Sequence, residues 1–301
     1  MEKEIKIENS SGSLSGTIRV PDNSKKPAIV LIIAGSGPTD RDGNNHLSGK
    51  TNNLKQLAEQ LAEHNVASLR FDKRGVGKSQ AAVVSENQLR LQTFVTDALA
   101  WAKHLRDSAK FSQIFILGHS EGGLIAIETC QQFKADGLIL LATPGRNLAN
   151  ILQDQLTQQL AGQPEWLQKS LKILDSLKNG ELVPQVPVEL QALFRPSVQP
   201  YLQSILKLDP AVELTKLTLP ILLIQGNEDL QISVADAQLL KRAVPTAKLA
   251  IIPHMNHVLK NIPKSDNKAN LASYQQPDKP LAPELIKQII EFLNTENYSN
   301  Q

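Results

Sequence analysis

The feature that most constrains the fold of this chain is a regular alternation of short apolar runs with amphipathic helical segments. Residues 27–34 read Pro-Ala-Ile-Val-Leu-Ile-Ile-Ala. Similar runs, each predicted to be a strand, recur at residues 66–71, 114–117, 137–142, 220–225 and 248–252. Runs that are apolar on both sides are typical of parallel sheets whose two faces are covered by helices. The alternation therefore predicts an α/β fold with a mostly parallel central sheet and helices on both faces.

The segments between these runs carry apolar residues at helical spacing. In the first of them, Leu54, Leu57 and Leu61 fall on one helical face. Further helices are predicted at residues 88–106, 123–133, 234–243 and 283–294. Before the first apolar run, residues 4–8 and 13–20 show the alternation of polar and apolar side chains expected of strands. The strand–helix order thus extends along almost the whole chain.

One stretch, residues 145–210, interrupts this order and carries no convincing strand. It reads as several short helices rich in leucine and glutamine, separated by glycine and proline residues. We expect a helical lid or cap inserted between two parts of the core, residues 1–144 and residues 211–301. A helical segment that merely covers the sheet is the alternative.

The composition and charge of the chain exclude some classes of function. Among its 301 residues, 32 lysines and arginines against 30 aspartates and glutamates give a net charge of +2. This balance is not that of a protein that binds nucleic acid or an anionic membrane. The single cysteine, Cys130, excludes an intrachain disulfide and suits a reducing compartment. With no apolar signal segment at the N-terminus and no run of about 18 apolar residues, we expect a cytoplasmic protein.

The strongest motif is at residues 118–122, Gly-His-Ser-Glu-Gly, which has the form Gly-x-Ser-x-Gly. It directly follows one predicted strand and directly precedes a predicted helix. This context is that of a nucleophile elbow, in which a sharp turn holds a serine at the carboxyl end of a strand. The N-terminus of the following helix favours the negative charge that develops during attack. We therefore predict that Ser120 is a nucleophile.

A serine nucleophile needs a base, and the base needs an acid that orients it. In chains with this elbow the order is serine, then acid, then histidine. Asp229 follows the next-to-last predicted strand, and His257 follows the last one. Because the carboxyl ends of parallel strands meet at one edge of the sheet, we predict Asp229 as the orienting acid and His257 as the base. Glu228 and His254, which lie close to them in the sequence, are the alternatives.

Two further loops carry motifs that are shared with a known family. Residues 35–43 read Gly-Ser-Gly-Pro-Thr-Asp-Arg-Asp-Gly, and residues 72–79 have the form Asp-x-Arg-Gly-x-Gly-x-Ser. With these loops and the three predicted catalytic segments, the sequence resembles the α/β-hydrolase superfamily, and within it bacterial carboxylesterases. The resemblance covers nearly the whole chain outside the insertion. It implies the α/β-hydrolase fold and serine hydrolase chemistry, and it is more specific for the fold than for an ester substrate.

The resemblance also implies where the oxyanion hole lies. One donor is the backbone N–H of Glu121, the residue after the nucleophile, and the other is the backbone N–H of Ser36. The family usually begins the loop of residues 35–43 with His-Gly, whereas this chain has Ala34 and Gly35. This departure leaves Gly35 and Gly37 as alternative donors.

No cofactor and no metal is predicted from the remaining motifs. Residues 75–79 resemble the end of a phosphate-binding loop, but Asp72 stands where the first glycine is needed. Residues 40–45 resemble part of a calcium loop, but the glycine comes too early and Thr51 stands where a glutamate is needed. The two histidines after the last strand have no third zinc ligand in view.

Together these motifs predict a carboxylesterase that cleaves small acyl esters through an acyl-enzyme. The expected partner is a small-molecule acyl ester, with no nucleic acid and no membrane, and the sequence sets no oligomeric state. A peptidase, thioesterase or acyltransferase on the same triad is one alternative. A non-catalytic binding protein on a hydrolase scaffold is another. That last alternative predicts a broken triad, whereas Ser120, Asp229 and His257 are all present.

Overall fold

The apolar runs form the central sheet of the computed structural model, which describes residues 1–9, 12–22, 24–82 and 85–298. The eight strands are β1 (Glu2–Asn9), β2 (Gly12–Arg19), β3 (Ile29–Ile33), β4 (Ala67–Phe71), β5 (Ile114–His119), β6 (Gly137–Leu141), β7 (Ile221–Gly226) and β8 (Lys248–Ile252). They lie in the order β1-β2-β4-β3-β5-β6-β7-β8. β1 pairs antiparallel with β2, and β2 with β4, while all other pairings are parallel. The predicted mostly parallel sheet is therefore confirmed.

Helices connect most of the strands and surround the sheet. In the described residues they are α1 (Asn53–Glu63), α2 (Leu91–Asp107), α3 (Gly122–Gln132), α4 (Leu148–Gln159), α5 (Pro164–Lys178), α6 (Gln191–Phe194), α7 (Gln199–Leu206), α8 (Pro210–Leu214), α9 (Val234–Ala243), α10 (Asn267–Ala272) and α11 (Pro283–Tyr298). α9 has its predicted bounds. α2 begins later than predicted, at Leu91, where the Thr93 hydroxyl accepts the N–H of Arg90. None of these helices is both long enough and apolar enough to cross a membrane.

The strands bury alternate side chains in two apolar clusters, one on each face of the sheet. In β3, Ile29, Leu31 and Ile33 belong to one cluster, whereas Val30 and Ile32 belong to the other. α2 and α3 cover the first face, and α1 and α11 cover the second. Because strand side chains alternate between faces and both faces are buried, these strands read as continuous apolar runs. The prediction of helices on both faces is confirmed.

Residues 145–210, here called the insertion, contain α4 to α7, and α8 begins at Pro210. The buried side chains of the insertion belong to the same apolar cluster as those of α2 and α3, and they include Leu156, Ile173, Leu177, Phe194 and Leu202. Burial of this kind stabilises a segment by roughly 25 cal/mol per Å² of apolar surface removed from water. The insertion is therefore packed onto the body of the molecule.

The connections that carry the predicted site residues all follow the carboxyl ends of parallel strands. The connection after β3 contains Ser36, while Ser120 follows β5, Asp229 follows β7 and His257 follows β8. β3 and β5 are neighbours, and β6 separates β5 from β7. Ligands of open α/β sheets bind outside this edge, where connections from different strands converge. The topology thus brings residues that are far apart in the sequence to one edge.

Candidate active site

Ser120 lies in a strained turn between β5 and α3. Its φ angle is 55°, in the left-handed region that non-glycine residues rarely adopt. Its N–H donates to the Leu141 carbonyl at 2.8 Å, and its own carbonyl accepts the N–H of Gly123 at 2.9 Å. A Cβ on Gly122 would lie only 2.5 Å from the Ile33 carbonyl oxygen, so glycine is required where α3 begins against β3. The turn leaves the Ser120 side chain partly exposed at the sheet edge.

Asp229 and His257 form a buried hydrogen-bonded pair. The distance from His257 Nδ1 to Asp229 Oδ2 is 2.9 Å, and the two side chains are 6% and 0% exposed. Asp229 Oδ1 accepts hydrogen bonds from the N–H groups of Gln231 and Ile232. Asp229 Oδ2 also accepts one from Gln225 Nε2. Burial acts to raise the pKa of Asp229, but the His257 ring and these hydrogen bonds hold it below its ordinary value. The ionised carboxylate therefore accepts a hydrogen bond from Nδ1–H of His257, which leaves Nε2 as the basic nitrogen.

The two alternative residues are directed elsewhere. Glu228 Oε2 accepts a hydrogen bond from the Ser265 N–H at 2.9 Å. Among the described residues, no histidine ring is hydrogen-bonded to Glu228. His254 is exposed, and its N–H donates to Asn227 Oδ1 at 2.7 Å. The structure therefore brings Asp229 together with His257 and leaves Glu228 and His254 outside this pair. The described part of the chain has no group of three or more histidine, cysteine or acidic side chains placed to bind a metal ion.

His119, beside Ser120, connects the nucleophile turn to the loop that carries His257. Its Nε2 lies 2.8 Å from the His257 carbonyl oxygen, 138 residues along the chain, and the two ring centroids are 5.1 Å apart. Burial, helped by the neighbouring His257 ring, lowers the pKa of His119 to about 4. The ring is therefore neutral and donates Nε2–H to that carbonyl. From the sequence alone we expect only a local contact for this histidine, and no periodic pattern indicates the long-range one.

The Ser120 hydroxyl has no hydrogen bond to any residue that the structure describes, so the contact with His257 Nε2 is not closed. Such contacts are often long before substrate binds and tighten in the complex. His119 keeps the His257 loop against the nucleophile turn, because it precedes Ser120 and donates to His257. The backbone of the His257 loop is thus held beside Ser120 by a hydrogen bond from its neighbour.

The two predicted oxyanion donors are unoccupied backbone N–H groups. Within the described ranges, neither the Ser36 N–H nor the Glu121 N–H donates to a protein acceptor. Glu121 lies directly before α3, where the helix end favours negative charge. A Cβ on Gly35 would lie 3.3 Å from Cβ of Ser120, so the loop after β3 contacts the nucleophile turn. Free N–H groups beside a nucleophile can stabilise an oxyanion.

A buried ion pair connects the two loops with shared motifs. Asp72 accepts the Arg41 guanidinium at 2.7 Å, the Arg41 N–H at 2.9 Å and the Lys78 N–H at 2.8 Å. The Arg41 and Asp72 side chains are 9% and 4% exposed. Breaking a buried pair by removing one partner typically costs about 3–5 kcal/mol. Both motifs therefore hold the loop after β3 against the loop after β4.

Tyr201 of α7 contacts the side chain of Glu121. Its hydroxyl donates to Glu121 Oε1 at 2.7 Å, and its ring packs edge-on against Phe94 at 5.6 Å between centroids. Burial raises the pKa of Glu121, while Lys73 and the Tyr201 hydroxyl oppose that shift. Burial and the Glu121 carboxylate raise the pKa of Tyr201 well above its ordinary value. One helix of the insertion therefore touches the residue that follows Ser120.

Comparison with known proteins agrees with this fold. The family model of serine aminopeptidase, S33, matches residues 47–261. Esterase EstD of Thermotoga maritima is 29% identical over 263 residues, which are 86% of this chain and 60% of that relative. The chain thus spans about 60% of the length of that relative.

Solved structures with the same fold include two esterases. Est1E from Butyrivibrio proteoclasticus superposes with a TM-score of 0.61 at 17% identity, over 98% of this chain and 99% of that one. A thermophilic esterase from Thermogutta terrifontis gives a TM-score of 0.59 at 18% identity, again over 98% and 99%. At these identities the likeness shows the fold alone. Because the family model covers more than half of the chain, this protein belongs to the serine aminopeptidase S33 family and has the α/β-hydrolase fold.

Proposed function

We propose that this protein is a serine carboxylesterase that cleaves small acyl esters with Ser120, His257 and Asp229. One observation carries the proposal. A buried Asp229–His257 pair lies in the connections after β7 and β8, at the same sheet edge as the strained Ser120 turn. A nucleophile, a base and an orienting acid at one site are what serine-dependent acyl transfer requires. The similarity to an esterase over 86% of the chain supports an ester substrate.

In the proposed reaction, Ser120 Oγ attacks the ester carbonyl carbon while Nε2 of His257 takes the hydroxyl proton. The tetrahedral oxyanion accepts hydrogen bonds from the N–H groups of Ser36 and Glu121. His257 then gives its proton to the departing alkoxide, which leaves as the alcohol. A water molecule, deprotonated by His257, attacks the acyl-enzyme, and the acid leaves when Ser120 regains its proton. Asp229 remains ionised throughout and keeps the ring in the required tautomer.

The family name suggests a second candidate, an aminopeptidase on the same three residues. Such an enzyme needs a carboxylate free to bind the substrate ammonium group. Of the described carboxylates, Glu121 is next to the nucleophile, but it accepts the Tyr201 hydroxyl and faces the Lys73 ammonium. A substrate ammonium group would have to compete with Tyr201 and Lys73 for the Glu121 carboxylate. The esterase proposal therefore has the stronger support.

We further propose that residues 145–210 form a cap that roofs the acyl pocket. The contact between Tyr201 and Glu121 supports this, because it brings an insertion helix to the nucleophile turn. A closed apolar roof favours short chains, since each added methylene must find room inside it, so we expect acyl groups of about two to eight carbons. Long-chain lipids and activation at an oil–water interface are not expected.

The proposed partner is a free small-molecule ester, and the proposed compartment is the cytoplasm. A net charge of +2 gives no electrostatic basis for binding nucleic acid or an anionic membrane. Cys130 is buried in α3, and burial raises the pKa of its thiol, so it suits packing rather than reactivity.

Covalent labelling tests the proposed nucleophile. A fluorophosphonate should modify Ser120 stoichiometrically, as located by peptide mass mapping, and the protein should hydrolyse 4-nitrophenyl butyrate. Ser120→Ala should abolish labelling and lower kcat by several powers of ten, because triad members act as a unit. Ser112→Ala is the matched control, since Ser112 is exposed at the opposite end of β5. Label on another serine, or faster hydrolysis of aminoacyl amides than of esters, would refute the proposal.

A further inference from the structure

Lys73, in the loop after β4, is a buried lysine that binds backbone carbonyls. It is 4% exposed, and its Nζ donates to the Gly35 carbonyl at 2.5 Å and to the Gly37 carbonyl at 2.6 Å. No described carboxylate forms a salt bridge with it. Burial lowers the pKa of Lys73 to about 8, and the nearby Glu121 carboxylate limits the fall. A buried ammonium at this place needs a reason beyond charge pairing.

The geometry of the peptide units that Lys73 holds, here called clamped, gives that reason. The Gly35 carbonyl belongs to the same peptide unit as the Ser36 N–H, and the described peptide bonds are trans. In a planar trans unit the C=O and N–H groups point in opposite directions. Holding the Gly35 carbonyl therefore turns the Ser36 N–H away from Lys73. The second clamped carbonyl, of Gly37, precedes Pro38, which has no N–H to direct.

The remaining contacts make this arrangement rigid. The Ser36 carbonyl, between the two clamped ones, accepts the Thr39 hydroxyl at 2.7 Å. On either side of Lys73, Asp72 pairs with Arg41 and Arg74 pairs with Asp97, all four being buried. The lysine is thus placed by ion pairs on both of its neighbours. A Gly-Ser-Gly loop would otherwise be free to adopt many conformations.

We infer that Lys73 is a positioning residue of the oxyanion hole: its contact with the Gly35 carbonyl directs the Ser36 N–H toward the substrate carbonyl oxygen. This inference rests on the proposed hydrolase function. Among the three donors that the sequence leaves open, it favours Ser36, because the Ser36 N–H shares its peptide unit with the Gly35 carbonyl that Lys73 holds. The loop of residues 35–37 thus provides the N–H donor, and Lys73 fixes the direction in which that N–H points.

Replacing the lysine by an isosteric apolar residue tests the inference. In Lys73→Met, kcat for 4-nitrophenyl butyrate should fall by about 10²–10³, the typical cost of losing one oxyanion donor, while KM changes little. Affinity for n-butylboronic acid, whose adduct with the serine is tetrahedral, should fall in parallel with kcat/KM. The crystal structure of the variant should show the Gly35–Ser36 peptide rotated.

Lys260→Met is the matched control. Lys260 is also fully buried, and it also donates to a backbone carbonyl, that of Lys279, at 2.5 Å. Burial lowers its pKa to about 8 as well. Its loss should destabilise the fold in the same way without the parallel loss of kcat and boronic acid affinity. Equal losses in the two variants would mean that Lys73 is only structural and would overturn the inference.

Two further outcomes keep the inference separate from the proposed function. If Lys73→Met does not fold, Lys73→Gln replaces it, because the glutamine amide can still donate to a carbonyl. Its kcat should exceed that of other neutral variants at this position that fold. A kcat equal to theirs would overturn the inference. If the wild type hydrolyses no ester and takes no fluorophosphonate, the proposed function fails, yet the crystal structure still decides on Lys73. An unrotated Gly35–Ser36 peptide refutes the positioning role in either case.

Discussion

The site edge, meaning the connections after β3, β5, β7 and β8, is held together differently from the insertion at residues 145–210. At the site edge, directional polar contacts predominate, and Asp229 alone accepts four hydrogen bonds. In the insertion, apolar side chains such as Leu177 and Phe194 are fully buried. Hydrogen bonds depend on individual atoms, whereas hydrophobic stabilisation depends on area. Removing a contact of Asp229 or His257 should therefore reduce the rate, and truncating a buried side chain of the insertion should reduce the stability.

The largest expected effect is on the rate, from Asp229→Asn. The amide cannot hold His257 in the required tautomer, so kcat should fall by about 10³–10⁴. The matched control, Glu228→Gln, should have little effect, because Glu228 is bonded to the N–H of Ser265. Steady-state kinetics on one ester decides between them. A larger loss in Glu228→Gln than in Asp229→Asn would show that the acid is misassigned.

The next effect is on stability, from Leu177→Ala in α5. Leu177 is 0% exposed, and truncating such a side chain should lower the free energy of unfolding by about 2–5 kcal/mol. The rate of ester hydrolysis below the unfolding range should hardly change. Leu177→Met, which conserves volume, should cost less than about 1.5 kcal/mol. Urea unfolding combined with initial rates measures both quantities, and a collapse of rate at unchanged stability would contradict the comparison.

The third effect is on the pH dependence of stability, and it belongs to His119 beside the site edge. The pKa of His119 is about 4 in the folded protein against an ordinary 6.5, so the unfolded chain binds the proton first. This stabilisation is complete above pH 6.5 and is lost as the pH falls toward 4, by on the order of 3 kcal/mol. His119→Gln keeps a donor for the His257 carbonyl but cannot titrate, so its stability should depend less on pH in this window. The exposed His104→Gln should behave like the wild type; equal pH dependence in His119→Gln would contradict the assignment.

The smallest effect belongs to the contact between Tyr201 of the insertion and Glu121 of the site edge. Tyr201→Phe removes the donor to Glu121 and should lower the free energy of unfolding by about 1 kcal/mol. If the insertion roofs the acyl pocket, the ratio of kcat/KM for butyrate and octanoate esters should change more than kcat itself. Tyr274→Phe is the control, because Tyr274 accepts from Gln231 and lies outside the insertion. An identical ratio in both variants would indicate that the insertion only covers the sheet.

Local patterns were sufficient to predict much of this arrangement. The strands were readable because both faces of the sheet are buried, which makes each strand a continuous apolar run. The turn at Ser120 could be predicted because it is short and needs glycine at a defined position. Asp229 was less distinct from Glu228, since both follow β7. The distinguishing signal is also local: Asp229 Oδ1 accepts the N–H groups two and three residues further on, a turn that aspartate favours.

Contacts between distant segments could not be predicted in this way. The bond from His119 to the His257 carbonyl joins residues 138 apart, and the partners of Lys73 lie on another loop. Neither contact has a periodicity, because each depends on where two loops happen to meet. The motif containing Asp72 was recognisable, but its reason became clear only once Arg41 was seen bonded to it.

The order of the strands also affects how the purified protein should behave. β1 ends the sheet, and among the described residues its only strand partner is β2. An unpaired strand edge can recruit a strand from another molecule, which is a common first step in aggregation. β1 reads Glu-Lys-Glu-Ile-Lys-Ile-Glu-Asn, and the charged side chains would have to be desolvated and matched in register before a second strand could dock. The β1 edge should therefore resist pairing with another molecule at the high concentrations that crystallisation of the variants requires.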